Sequence, residues 1–181
     1  MNHEADVLKE VAARLEKANI SYMLTGSMAA NLYAVPRMTR DIDIVIQLGT
    51  AHAHKIHQVF KSDFYIDLES ISEAIENESG FNMIHNESIV KIDFILRKEA
   101  PYRKLEFERK RKVVFEGQEI WVVSPEDLII SKLNWAKEDF SELQLRDVKN
   151  LLKQNSALDY PYLEEWISNL GLNPVYERLK A

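Results

Sequence analysis

The chain of 181 residues contains no cysteine, which excludes disulfides, thiolate zinc sites and cysteine nucleophiles. It also lacks any apolar run of membrane-spanning length, and no basic-then-apolar leader pattern opens it. A cytoplasmic location with no membrane partner is therefore expected. There is no internal repeat and no low-complexity linker, so the one boundary the sequence marks is Val123/Ser124. Nor is there an excess of positive charge: the formal net charge of −6 argues against a protein dedicated to coating nucleic acid, while leaving room for a local basic patch. What is present is ordinary for a globular protein. An apolar content of 46% supplies a core for one domain, or for a core with a small appended lobe.

The distinctive stretch is Thr25 to Ile46, TGSMAANLYAVPRMTRDIDIVI. Side chains two apart on a strand share a face, so Asp41 and Asp43 project together while Ile42, Ile44 and Ile46 turn into packing. Paired carboxylates on one face repel unless a proton or a metal cation lies between them. Upstream, Ile20 to Thr25 reads as a strand and Met28 to Tyr33 as a short helix, making Gly26-Ser27 a strand-to-helix turn. Glycine lets backbone and ligand approach closely, and the amides at the helix start, with the Ser27 hydroxyl, favour a phosphate. A phosphate cradle beside a divalent-metal pair is the apparatus of phosphoryl or nucleotidyl transfer.

The remaining chain reads as alternating elements. A first helix is expected over Ala5 to Ala18, stopped at Asn19. The Pro36 ring restrains Val35, which ends the short helix before the loop carrying Arg37, Thr39 and Arg40. The two arginines could meet nucleotide phosphates or be solvated loop charges. Thr50 to Phe60 is expected to be helical, with His52, His54 and His57 as surface histidines rather than a metal site. A strand is expected at Phe64 to Leu68, a polar loop or short helix at Ser70 to Asn77, and a hairpin from Gly80 to His85 and Ser88 to Leu96. Alternation in the second hairpin strand puts Lys91 and Asp93 on one face. An acid inside so apolar a strand needs a partner, whether Lys91, another base or a catalytic role. The basic segment Arg97 to Lys112, with Tyr102 and Phe107 interleaved, could contact RNA or be a solvated helix face. A second hairpin turns at Glu116-Gly117-Gln118. Ser124-Pro125-Glu126-Asp127 then announces a helix by its cap, its first-position proline and its early acids. Further helices are expected at Ser141 to Gln154, Tyr160 to Leu170 and Pro174 to Leu179.

Gly-Ser, a spacer, then Asp-Ile-Asp inside an apolar strand resembles the signature of the nucleotidyltransferase superfamily, the polymerase-beta-like fold. The wording Arg37-Met38-Thr39-Arg40-Asp41-Ile42-Asp43 resembles the AbiEii-type toxin branch in particular. Smaller antitoxin-type members carry Ser before the first Asp, where this chain has Thr39-Arg40. The resemblance implies an α/β (α+β) fold: a mixed or antiparallel sheet flanked by helices over residues 1–123, with a C-terminal helical lobe, residues 124–181, packed on it. It implies a catalytic set of Asp41, Asp43, Asp93 and Lys132, the three aspartates also binding metal. Nucleotide contacts are implied for Gly26, Ser27, Arg37, Thr39, Lys132 and Asp147. SPEDLIISKLNWAKE and LQLRDVKNLL resemble the branch's helical lysine and later basic-Asp stretch. A lysine on a helix facing a cleft supplies the point charge a triphosphate needs, with Asp147 coupled to it. The chain departs from that pattern in reducing the longer basic-Asp motif to Arg146-Asp147.

Two function classes follow. The first is a Mg²⁺-dependent enzyme moving a nucleoside monophosphate from an NTP to an acceptor. In the toxin branch that acceptor is tRNA or another cellular target, and the enzyme has an antitoxin partner. A small-molecule, aminoglycoside-type acceptor is the runner-up. The second class is a non-catalytic nucleotide-binding or antitoxin-like partner protein, although such a site would be expected to lose one of its carboxylates.

Overall fold

The computed structural model describes residues 3–139 and 141–179. The chain divides into two compact units, residues 1–28 with 38–123, and residues 29–37 with 124–181.

In the first unit, helix α1 (His3–Lys17) buries Val7, Leu8, Val11, Ala12 and Leu15 as one stripe. Asn19 at φ 52° terminates it in the left-handed conformation that asparagine tolerates. Strand β1 (Tyr22–Thr25) leads into helix α2 (Gly26–Tyr33), and strand β2 (Asp41–Ile46) follows the loop. In β2, Ile42, Ile44 and Ile46 are fully buried, whereas Asp41 is exposed and Asp43 half-buried. Burying each such side chain stabilises the fold by about 1.5–3 kcal/mol.

The segment Thr50 to Phe60 divides into a 3-10 turn and helix α3 (Ala53–Phe60), where His52 Nδ1 accepts the Gly49 N–H at 2.9 Å. Strand β3 (Phe64–Tyr65) is shorter than expected. Asp67 accepts a hydrogen bond from the Ser70 amide at 2.7 Å and so caps helix α4 (Leu68–Glu76), which takes Leu68 out of the strand. Strands β4 (Gly80–His85) and β5 (Lys91–Leu96) form the expected hairpin. Helix α5 (Pro101–Glu108) precedes strands β6 (Arg111–Phe115) and β7 (Gln118–Val122). The turn between those two strands has Glu116 at φ 46° and Gly117 at φ 84°, the double positive φ that a tight two-residue hairpin requires.

Among the described residues the strands form one seven-stranded sheet in the order β3-β4-β5-β2-β1-β7-β6. The β2/β5 and β1/β7 pairs are parallel and the other neighbours antiparallel, giving the expected mixed α/β sheet.

The second unit is helical: α6 (Pro125–Asp139), α7 (Glu142–Gln154), α8 (Tyr160–Asn169) and α9 (Asn173–Glu177). The Ser124 hydroxyl accepts the Asp127 amide at 3.1 Å and donates to the Asp127 carboxylate at 2.5 Å, so α6 is capped as its sequence announces. The Tyr162 hydroxyl donates to the other oxygen of Asp127 at 2.5 Å, tying α8 to the start of α6. No helix among the described residues is long and apolar enough to cross a membrane.

Candidate active site

The sheet register assembles a polar row in the first unit. Thr25 on β1 pairs with Asp43 on β2, Asp43 with Asp93 on β5, and Asp93 with Asn82 on β4. Residues directly opposite one another share a face, so these four lie side by side across four strands. One step along, Asp41 pairs with Lys91. Asp41, Asp43 and Asp93, read from separate stretches of sequence, therefore stand on one face, two of them as immediate lateral neighbours. Like charges directly opposite are destabilising. Here the Lys91 ammonium binds the Asp93 carboxylate, at 2.7 Å from Oδ1 and 2.9 Å from Oδ2. That hydrogen bond raises the Lys91 pKa above the ordinary lysine value. Partial burial opposes the rise, and the charges of Asp93, Asp41 and Asp43 add to it.

Gly26 has φ 66°, and a Cβ placed there would lie 2.0 Å from Asp43 Oδ2 and 2.7 Å from its Cγ. The Asp43 carboxylate thus rests on the bare glycine backbone where β1 turns into α2. Only a residue without a side chain admits both that backbone angle and that approach. Ser27 is half-buried at the start of the helix, beside this contact. The Gly-Ser turn and the Asp-x-Asp strand are thereby joined as one piece of structure.

The second unit holds another ionic cluster. Lys132 on α6 is fully buried, and its ammonium donates to Asp147 Oδ2 at 2.8 Å and to Gln144 Oε1 at 3.0 Å, both on α7. Arg37 grips Asp147 with two hydrogen bonds, Nε to Oδ1 and Nη2 to Oδ2, each 3.0 Å. A buried carboxylate shared by two cations is satisfied on both oxygens. Burial pushes the Asp147 carboxyl upward, but the hydrogen bonds from Arg37 and Lys132, reinforced by their charges, outweigh it and hold it below the usual aspartate range. Arg37 is fixed from behind as well, because Asn31 donates to its carbonyl at 2.8 Å and accepts its amide at 3.0 Å. The structure thus joins Arg37, Lys132 and Asp147, with Asp147 on the buried side of α7. Thr39 is half-buried and Arg40 exposed.

Asn82, Lys91, Asn31 and Gln144 were not singled out as site residues from the sequence. Asn82 could have been found by carrying the hairpin register across from Asp93, whereas the sequence already offers Lys91 as the partner of that aspartate. Nothing local marks Asn31 or Gln144.

Among the described residues no group of three or more histidine, cysteine, aspartate or glutamate side chains is arranged to hold a metal ion. Mg²⁺ typically takes one or two carboxylates together with substrate phosphates and waters, rather than an all-protein cage. Asp41 and Asp43, beside the Gly26-Ser27 helix start, fit that donor chemistry.

No family model and no curated protein matches the chain. Solved structures do. The antibiotic-resistance factor ANT(2'')-Ia superposes with a TM-score of 0.63 at 14% identity, covering 98% of this chain and 95% of that one. An antigenic nucleotidyltransferase-like protein from Paracoccidioides brasiliensis gives 0.59 at 18% identity, over 99% and 94% of the two chains. The lincosamide antibiotic adenylyltransferase LnuA, in its lincomycin-bound form, gives 0.55 at 16% identity, over 86% and 98%. A sheet carrying paired aspartates next to a Gly-Ser turn, superposable over nearly the whole length of such proteins, has the nucleotidyltransferase fold.

Proposed function

We propose that the protein is a metal-dependent nucleotidyltransferase, moving a nucleoside monophosphate from an NTP to an acceptor hydroxyl. The observation that carries this reading is the approach of Asp43 to Gly26, which sets one of the paired carboxylates directly against a phosphate-type turn. Asp41 and Asp43 hold divalent cation, with Mg²⁺ the expected ion. Bound there, it would supply charge neutralisation for the triphosphate and the departing pyrophosphate. The α2 amides and the Ser27 hydroxyl bind the phosphates and orient them. Asp93, next to Asp43 in the row, accepts the proton of the attacking hydroxyl. The acceptor oxygen bonds to the α-phosphorus as the bond to pyrophosphate breaks. Lys132, Arg37 and Asp147, joined to one another within the second unit, are read from the resemblance as nucleotide contacts, and Thr39 belongs to the loop that precedes the aspartates.

The acceptor in this reading is tRNA or another RNA, with the enzyme acting as a toxin restrained by an antitoxin in the cytoplasm. A small-molecule acceptor is favoured by a specific observation. Asn82 also lines a cavity of about 420 Å³ with Tyr65, Asp67, Ser70 and Glu73, a polar and acidic space suited to an aminated, hydroxylated molecule. ANT(2'')-Ia has been crystallised with adenylyl-2''-tobramycin, in keeping with that choice.

Incubating the protein with each α-labelled NTP, Mg²⁺ and either total RNA or a panel of aminoglycosides tests both, beside an Asp41→Asn/Asp43→Asn variant. Label entering RNA supports the first acceptor, and label entering an aminoglycoside supports the second. Transfer that persists in the double variant, or is absent from wild type with every acceptor, refutes the enzymatic reading.

A further inference from the structure

Lys91 has no role in the reaction as drawn above, yet its ammonium is bound to Asp93 in the carboxylate row. It is the register neighbour of Asp41 and lies two residues from Asp93 on the same strand, so all four side chains share one face of the β2/β5 pair. Its ammonium sits on both oxygens of Asp93, while Asp93 is the lateral neighbour of Asp43. The side chain is 45% exposed, so no packing forces it into this position. Electrostatics does. Three carboxylates on one sheet face need positive charge, and on this face the chain provides one of its own.

We propose that Lys91 is a built-in counter-ion of the carboxylate array and sets its affinity for divalent cation by electrostatic competition. This rests on the reading of Asp41 and Asp43 as cation ligands. A divalent ion arriving at those residues meets a site already partly neutralised, and it recruits Asp93 only by displacing the ammonium. Lys91 therefore lowers the affinity of the free protein for metal. Such a site fills when the ion arrives with nucleotide, whose phosphates supply the negative charge that Lys91 has cancelled.

The test is the dissociation constant for Mn²⁺ alone, followed by the electron paramagnetic resonance of the free ion, in wild type, K91M and K91R. Like charges brought into one site repel even where water screens them, and the ion carries two. Removing the ammonium is thus expected to tighten Mn²⁺ binding by roughly tenfold or more. K91R keeps the charge and is expected to stay near wild type. Because the residue is half-exposed on a strand, both variants should fold, which circular dichroism checks. Binding in K91M that is unchanged, weaker or undetectable overturns the inference. If that occurs while the labelled-nucleotide assay shows transfer dependent on Asp41 and Asp43, the Lys91 inference alone falls. If transfer is also absent, both fall.

Discussion

Replacing Gly26 by alanine tests the junction on which the functional reading stands. Two penalties coincide there. The residue sits at φ 66°, and a non-glycine residue pays about 1–2 kcal/mol to adopt that left-handed conformation. The new methyl would also lie 2.0 Å from Asp43 Oδ2, 2.7 Å from Cγ and 3.0 Å from Cβ. Rotating the carboxylate removes the first two clashes, but the third involves an atom tied to the β2 backbone. Strand or turn must therefore shift, and the carboxylate must move by about an ångström or more. Misplacement on that scale costs on the order of a hundredfold in rate. The expected outcome is a melting temperature lower by several degrees and a fall in nucleotidyl transfer of at least about a hundredfold. A double-mutant cycle separates the two penalties. In an Asp43→Ala background the carboxylate is gone but the Cβ remains, so Gly26→Ala should destabilise measurably less than it does in wild type, leaving the backbone cost and the 3.0 Å approach to that Cβ. Strictly additive stabilities, or Gly26→Ala activity within about threefold of wild type, would refute the contact as the organiser of the site.

Asp147→Asn weakens the neutralisation of both Lys132 and Arg37. Breaking a buried pair of this kind costs about 3–5 kcal/mol, so thermal unfolding should show a drop of order ten degrees, with Lys132→Met somewhat milder because Arg37 still holds the aspartate. The acid limb of stability carries the same signature. The Asp147 pKa is lower folded than unfolded, so its contribution is fully present above the unfolded carboxylate value of about 3.9 and is lost as pH falls through the folded value. Denaturant titrations below pH 4 should therefore show wild type losing stability more steeply than Asp147→Asn; parallel curves would contradict the assignment. Ser124→Ala removes the α6 cap and the hydroxyl donor to Asp127, for an expected loss of about 1 kcal/mol in chemical denaturation.

The first motif was legible because its physics is local. Alternation alone put the isoleucines of β2 inward and its aspartates outward, and Gly-Ser between an apolar strand and a helical stretch needed no distant partner to be read. Asn19, Gly117 and the Ser124 cap were equally readable, since positive φ and capping are decided within a few residues. The Phe64 to Leu68 segment misled because the Asp67 cap competed with the strand pattern and won, starting a helix where alternation would have continued. Resemblance brought Lys132 and Asp147 forward, but what they do for one another was beyond its reach. The grip of Arg37 on Asp147 joins residues 110 apart, and no periodicity encodes such a pair. Without that contact, Arg37 and Asp147 read as separate surface charges, each free to be assigned to a ligand.

Lys91 shows the same limit at short range. Lys-Ile-Asp is plain in the sequence, and strand alternation puts its two charges on one face. That was enough to offer Lys91 as the partner of Asp93, or Asp93 as a catalytic carboxylate, but not to relate the two. The parallel register of β2 and β5 supplies the missing relation: it sets the Lys91–Asp93 pair beside Asp41 and Asp43, so that in the proposed reaction pairing and catalysis are not alternatives. A carboxylate can be neutralised by lysine in the free protein and serve the reaction once a stronger cation, carried by nucleotide, takes over the charge balance. In the proposed reaction the ion pair keeps this face folded before substrate arrives, and its two residues then exchange partners as the ion and nucleotide bind.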